Sequence, residues 1–275
     1  MKALFPVSVT CLTLWLLGCE RTDENVPYYR LPDSAVVAAV GNARCTKGDV
    51  RRNEEIMSRL VALCGTAAKV DPGAFRHNYT TAFVVQAILV REATRSGLSL
   101  SNEDLVRQQK RFLASIPGRT NLTYGRILSA LGSLAPTFEA NQRREALANE
   151  MEEVLRAEFA KKAAAASSFA TNAWKSIRAG NDFDAVGQKL VQMGKNVAYE
   201  AACATPPGEL AELPVGAVSP LTATEGGLSI WKAKTDASNK KSYSRVFFSI
   251  PSTDTAFDVW MEEQKKAPDV VMKIQ

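Results

Sequence analysis

The stretch "VVAAVGNARCTKGDVRRNEEI", residues 36 to 56, decides how the first half of the chain folds. A β-branched run reaches Gly41-Asn42, a dipeptide suited to a tight hairpin turn, and a short second strand follows. Thr46 then stands where its hydroxyl caps a helix, with Asp49 at the third helical position to return the bond. Ile56, Leu60, Val61 and Cys64 recur at helical spacing, so the reading is strand, turn, short strand, amphipathic helix.

Helices should follow this opening almost without a break. The apolar stripe in "AFVVQAILVREATRSG", 82 to 97, predicts a helix from about Pro72 to Ser96, stopped by a left-handed cap at Gly97. Ser101 or Asn102 opens the next, "SNEDLVRQQKRFLASI", with acids in the first turn where the helix dipole favours them. A fourth begins near Thr123. A fifth runs from about Pro136 through the Ala-rich stretch at 163 to 166. After Ser168 the texture changes: one helix is expected to end at Gly180 and another to start at Asp182. Short strands are expected near 218 to 223 and 228 to 234, a strand in "YSRVFFSI" at 243 to 250, a helix in "TDTAFDVWMEEQKKA" and a last strand in "DVVMKI". The fold class expected is α+β, a mostly helical first domain and a small second α+β domain.

At the other end of the chain, an apolar run closes on "LLGC", residues 16 to 19, and then turns abruptly to charge. Lys2 and the apolar core after it suit a secretory signal, and the run is short of the roughly 20 residues a membrane span needs. "LLGC" resembles the lipobox of bacterial lipoproteins, in which the cysteine becomes the acylated mature N-terminus, here Cys19. The plainer alternative is an incidental cysteine in an uncleaved anchor. Glu20 follows it, where an Asp would resemble inner-membrane retention, so the expected place is the cell envelope, facing the periplasm from the outer membrane. Residues 20 to 34, polar with two prolines, read as a tether.

The bulk composition is globular: 275 residues, 46% hydrophobic and 23% charged. Removing residues 1 to 18 takes Lys2 alone from 34 basic residues, leaving 33 against 29 acidic ones, a balance of +4. No basic block with interleaved aromatics marks a nucleic-acid surface. Cys45, Cys64 and Cys203 remain, without metal-type spacing, and a Cys45–Cys64 disulfide is one possible pairing in an oxidising envelope. Neither a cofactor motif nor a metal motif is present.

These segments together resemble SurA-like and PrsA-like periplasmic foldases. The opening stretch is similar to the entry into their helical chaperone domain. "LVREATRSGLSLSNEDLVRQQKRFLAS" is similar to the next two helices, and "LAPTFEANQRREALANEM" to the helix entered through a polar or proline turn. "IRAGNDFDAV", 177 to 186, resembles the Gly-x-Asp-Phe junction of parvulin-type peptidyl-prolyl isomerases, and "LPVGAVSPLTATEGGLSIWKAK", 213 to 234, resembles their closing strand pair. The resemblance implies a signal at 1–18, a tether at 19–34, a helical chaperone domain at 35–165 and a diverged parvulin-like domain at 166–275.

The chain departs from that pattern in two places. The parvulin histidines have no counterpart, because the only histidine is His77 in the helical half. The strand that normally precedes the Ala-rich helix is also missing, and "YSRVFFSI" is expected to fill its place in the sheet from the other side. Phe183, Cys203 and Trp231 are the pocket-region candidates the resemblance offers, with Cys203 more simply a buried filler. The implied function is a lipid-anchored chaperone for unfolded exported chains. An isomerase with an altered pocket and a non-catalytic envelope scaffold are the alternatives. Isomerisation needs no covalent chemistry, only tighter binding of the twisted amide, so the missing histidines weaken that alternative without removing it. His77 reads as a surface residue; Met57, Leu60, Phe83, Val84, Ile88 and Leu89 read as interhelical core; Trp174, Trp231 and Trp260 fall on apolar faces.

Overall fold

Short-range chemistry sets the element ends in the computed structural model, which describes residues 28–65, 70–116, 122–194, 196–203, 206 and 208–273. Strands β1 (Val36–Val40) and β2 (Ala43–Thr46) turn at Gly41, whose φ of +56° suits a residue without Cβ. Thr46 caps helix α1 (Lys47–Leu63): its amide donates to Asp49 Oδ2 at 2.8 Å, and the Asp49 amide donates back to Thr46 Oγ1 at 3.2 Å. Helix α2 (Pro72–Arg95) starts at the Asp71 cap and ends before Gly97, at φ +70°. Ser101 and Asp104 repeat the capping box for α3 (Asn102–Ala114), and Thr123 caps α4 (Tyr124–Leu131).

Helix α5 (Ala135–Arg178) is one element of 44 residues that runs unbroken through Ser168, where the composition changes, in keeping with the helical reading of "EFAKKAAAASSFATNAWKSI". The hydroxyls there fold back onto their own helix, Ser167 Oγ donating to Ala163 O at 2.9 Å and Thr171 Oγ1 to Ser167 O at 2.9 Å. Their side chains therefore do not compete with the backbone ladder. Asp182 caps α6 (Phe183–Met193), which leads into β3 (Val197–Cys203), a strand that sequence reading missed. The remainder is β4 (Thr222–Thr224), β5 (Gly227–Thr235), β6 (Lys241–Ser249), α7 (Thr253–Lys265) and β7 (Val270–Met272), so the described residues are mostly helical with two small antiparallel sheets.

These elements form two compact units, one of residues up to Val154 together with those from Trp260 onward, the other Leu155–Val259. The first sheet, ordered β2-β1-β7, belongs to the first unit. β7, expected in the second domain, pairs with β1 through Ala38↔Met272 and Val40↔Val270. Its approach is fixed by Gly41 N donating to Asp269 O at 2.9 Å and by the Arg91–Asp269 ion pair at 2.7 Å. The division of the units thus differs from the expected 165/166 boundary, which falls inside α5.

Residues 28 to 34, expected as tether, are part of the first unit. Asp33 pairs with Arg51 at 2.7 Å, the Gly48 amide donates to Asp33 O at 2.8 Å, and Lys47 Nζ donates to the Tyr29 and Leu31 carbonyls. The core of this unit holds Ile56, Leu60, Ile127, Leu131 and Phe138, with Phe83, Val84, Ile88 and Leu89 also buried and Met57 packed beside them. The helical stripes are therefore filled by each other. Cys45 is buried on β2, Cys64 ends α1, and no disulfide joins them. His77 is exposed on α2.

In the second unit the sheet is ordered β3-β6-β5-β4. β6 lies in its interior, antiparallel to β3 and β5, and none of the described residues ahead of the Ala-rich stretch supplies a strand to this sheet. One face packs on the last turns of α5 and on α6: Ala170, Ala173, Ile177, Phe183, Leu190, Ile230, Val246 and Phe248 are its buried cluster. Gly187 lets α6 approach, since a Cβ there would stand 2.5 Å from the Tyr199 ring.

Candidate functional site

Side chains alternate across a strand, so Ile230 on the helix-covered face puts its neighbour Trp231 on the other. That outer face carries Trp231, Ala233, Tyr243 and Cys203, packed with Leu210 and Leu213. Two of the three expected pocket residues, Cys203 and Trp231, are thus brought together. Phe183 is not with them: it is fully buried in the helix-side cluster, with Lys232 Nζ 5.8 Å from its ring centre.

The segment around Ser219 positions Trp231. Ser219 N donates to Trp231 O at 2.8 Å, the Trp231 amide donates to Ser219 Oγ at 2.9 Å, and Trp174 Nε1 donates to Ser219 O at 3.0 Å. Gly216 N also donates to Ala233 O at 2.8 Å, so the 216–219 segment continues the sheet alongside β5. Trp231 is held as a rigid plane, 4% exposed.

Arg245 is the residue that sequence reading missed. It is the cross-strand partner of Trp231 on β6, and its guanidinium carbon lies 5.3 Å from the Trp231 ring centre and 5.0 Å from that of Phe247. One Nη2 contact, at 3.2 Å, goes to Glu200 on β3. The signal was present in "YSRVFF": Tyr243, Arg245 and Phe247 alternate, so one face of β6 is aromatic, cationic, aromatic.

Two donors on this face find no acceptor among the described residues. Trp231 Nε1 and Arg245 Nε are both buried and without a hydrogen-bond partner. The thiol beside them is quiet: Cys203 Sγ points at Tyr243 O, 3.2 Å away, and burial first, then the Glu200 charge, raise its pKa. A raised thiol pKa means little thiolate and a weak nucleophile. The face therefore combines apolar area, covered by Leu210 and Leu213, with buried N–H donors that lack an acceptor. On the helix side, a cleft of about 340 Å³ opens between Phe169, Met193, Val197 and Phe248.

The candidate lipidation site Cys19 and the signal before it lie outside the described residues. Among the described residues no helix is long and apolar enough to cross a membrane, and no group of three His, Cys, Asp or Glu could hold a metal ion. No protein-family model, curated protein or solved structure matches the chain.

Proposed function

We propose that the protein is a lipid-anchored chaperone of the bacterial envelope, of the SurA-like and PrsA-like kind, whose second unit binds segments of unfolded exported chains without isomerising them. The observation that carries this reading is the pair of unsatisfied donors, Trp231 Nε1 and Arg245 Nε, side by side on an apolar face. A buried donor without an acceptor costs about 1–3 kcal/mol. A backbone carbonyl of a bound chain would relieve that cost, and every chain offers one at each residue, which suits a binder of many clients.

The topology supports the parvulin resemblance in a rearranged form. β6, the strand offered in place of the missing first one, lies between β3 and β5 in the sheet. Catalysis is the weaker half of the resemblance. The only histidine sits in the other unit, and burial holds the Cys203 thiol protonated.

The test uses the chain from Glu20 onward in two assays. We expect it to suppress aggregation of reduced, unfolded lysozyme at near-stoichiometric ratios, while the cis-to-trans rate of a short Xaa-Pro peptide stays at its uncatalysed value. A rate that rises in proportion to added protein would replace this reading with the isomerase one. Failure in both assays, with one stable envelope partner recovered, would favour a scaffold.

A further inference from the structure

The outer face of the second sheet is covered by its own chain. The residues Gly208–Glu212 form a 3-10 turn, extended by Leu213, which makes a strap over Trp231, Ala233 and Tyr243. Among the described residues its attachments to the sheet are few. Leu210 and Leu213 lie on the aromatic cluster, and a single carbonyl, that of Ala211, accepts both Tyr243 Oη at 2.6 Å and Lys241 Nζ at 2.6 Å. Positive-φ glycines stand at its first residue and just past its end, Gly208 at +58° and Gly216 at +87°, and the strap contributes no strand to the sheet. Glycines at such angles accept a change of chain direction at little steric cost.

What the strap does there is what a bound peptide would do. Two leucines three residues apart occupy the apolar surface, and a backbone carbonyl between them is held by side-chain donors of the sheet. Beside it, the Trp231 and Arg245 donors stay unused. A segment that satisfied the face fully would leave no such orphans.

We infer that the strap is an internal stand-in for a client: it closes a site for leucine-bearing segments of unfolded chain, and such a segment displaces it and reaches the Trp231 and Arg245 donors. This rests on the proposed chaperone reading and adds how the site is closed and what it accepts. The strap's own chemistry names the occupant. A short stretch with apolar side chains at i and i+3 and free backbone carbonyls is matched to the cluster, whereas a highly charged chain is not.

The test loosens the strap without touching the two donors. In a Leu210→Ala, Leu213→Ala double variant the strap loses most of its apolar contact, while Tyr243 and Lys241 stay to hold a client carbonyl as they hold that of Ala211. Binding of reduced, carboxymethylated α-lactalbumin, a permanently unfolded chain, is measured for this variant and for the unaltered chain, with circular dichroism as the check on folding. A second variant, Leu210→Ser with Leu213→Ser, loosens the strap further by setting hydroxyls against the cluster.

We expect both variants to bind about tenfold more tightly than the unaltered chain, equivalent to about 1.4 kcal/mol. Adding Trp231→Phe to the first variant, which removes one orphan donor, should take back a large part of that gain. Equal binding by altered and unaltered chains would overturn the strap inference and leave the chaperone reading standing. Weaker binding by folded variants would make the strap a structural part of the site, which also overturns it. Absence of binding by every form would overturn both.

Discussion

At single residues, close approach rather than composition fixes what the second unit tolerates. Gly187 faces the Tyr199 ring, and Tyr199 Oη reaches Asp184 Oδ1 at 2.7 Å, so the ring has a hydrogen bond holding it in place. A methyl group 2.5 Å from that ring must push α6 off β3 or break the bond. Gly187→Ala should therefore destabilise by about 1–3 kcal/mol despite alanine's better helix propensity, as overpacking does. Urea unfolding reads this directly, and a stabilised variant would mean that the helix and strand separate freely. Sequence alone could not reveal the clash, because the two residues meet only when α6 packs on the sheet. Arg245 was hidden differently: the alternation on β6 was legible, but an arginine in a strand has no meaning until Trp231 and Glu200 are seen beside it.

Caps were the most legible elements, since a cap is settled by residues three positions apart. Thr46, Ser101, Thr123 and Asp182 all stand where the sequence placed helix starts. Thr46→Ala should cost about 1 kcal/mol, read as a lower urea midpoint, because it removes one arm of the capping box and leaves a first-turn amide without its acceptor. A change near zero would mean that Lys47 and its carbonyl partners already fix the helix start. β3 escaped notice because "VAYEAAC" is weakly β-forming and lies on a sheet edge, where burial does not force a clean alternation.

Part of the face between α3 and α5 was equally illegible, since around Gln108 it is polar although Phe112 packs on Phe138 further along. Gln108, the only fully buried residue of α3, accepts from Asn149 Nδ2 at 3.1 Å and faces Gln142, whose amide donates to Glu145 at 3.3 Å. Burial is the main influence on Glu145 and raises its pKa above the ordinary 4.5, with the Gln108 and Gln142 hydrogen bonds and Arg144 working the other way. The folded state thus favours the protonated acid. This stabilisation is complete below the ordinary carboxylate value and is lost as pH rises through the raised one. Glu145→Gln should raise Tm by about 2–4 °C at pH 7. The gain should shrink as the pH falls towards 4.5, whereas a gain independent of pH would show that titration of Glu145 is not its source.

At the scale of the whole molecule, the links that sequence missed are those between distant parts. α7 ends in the first unit, and β7 closes the first sheet next to β1, more than 200 residues earlier in the chain. A periodic pattern can announce a strand but not its partner, because pairing depends on contacts that appear only after the helices have packed. The C-terminal strand is therefore expected to matter for the opposite end of the chain. Removing residues 268–275 would expose the β1 edge, unseat Asp269 from Arg91 and leave Val37 and Ala38 without cover on that side. We expect the truncated chain to lose several kcal/mol, comparable to loss of a buried network, and to exchange the amides of β1 and α2 faster, while those of β5 and β6 keep their protection. Hydrogen exchange resolved by segment makes this measurement. Uniform loss of protection would show that the two units unfold together. Unchanged protection in β1 would mean that β7 is an ornament of the first sheet, and that the hairpin and its capped helix, readable from 36 to 56 alone, hold that unit by themselves.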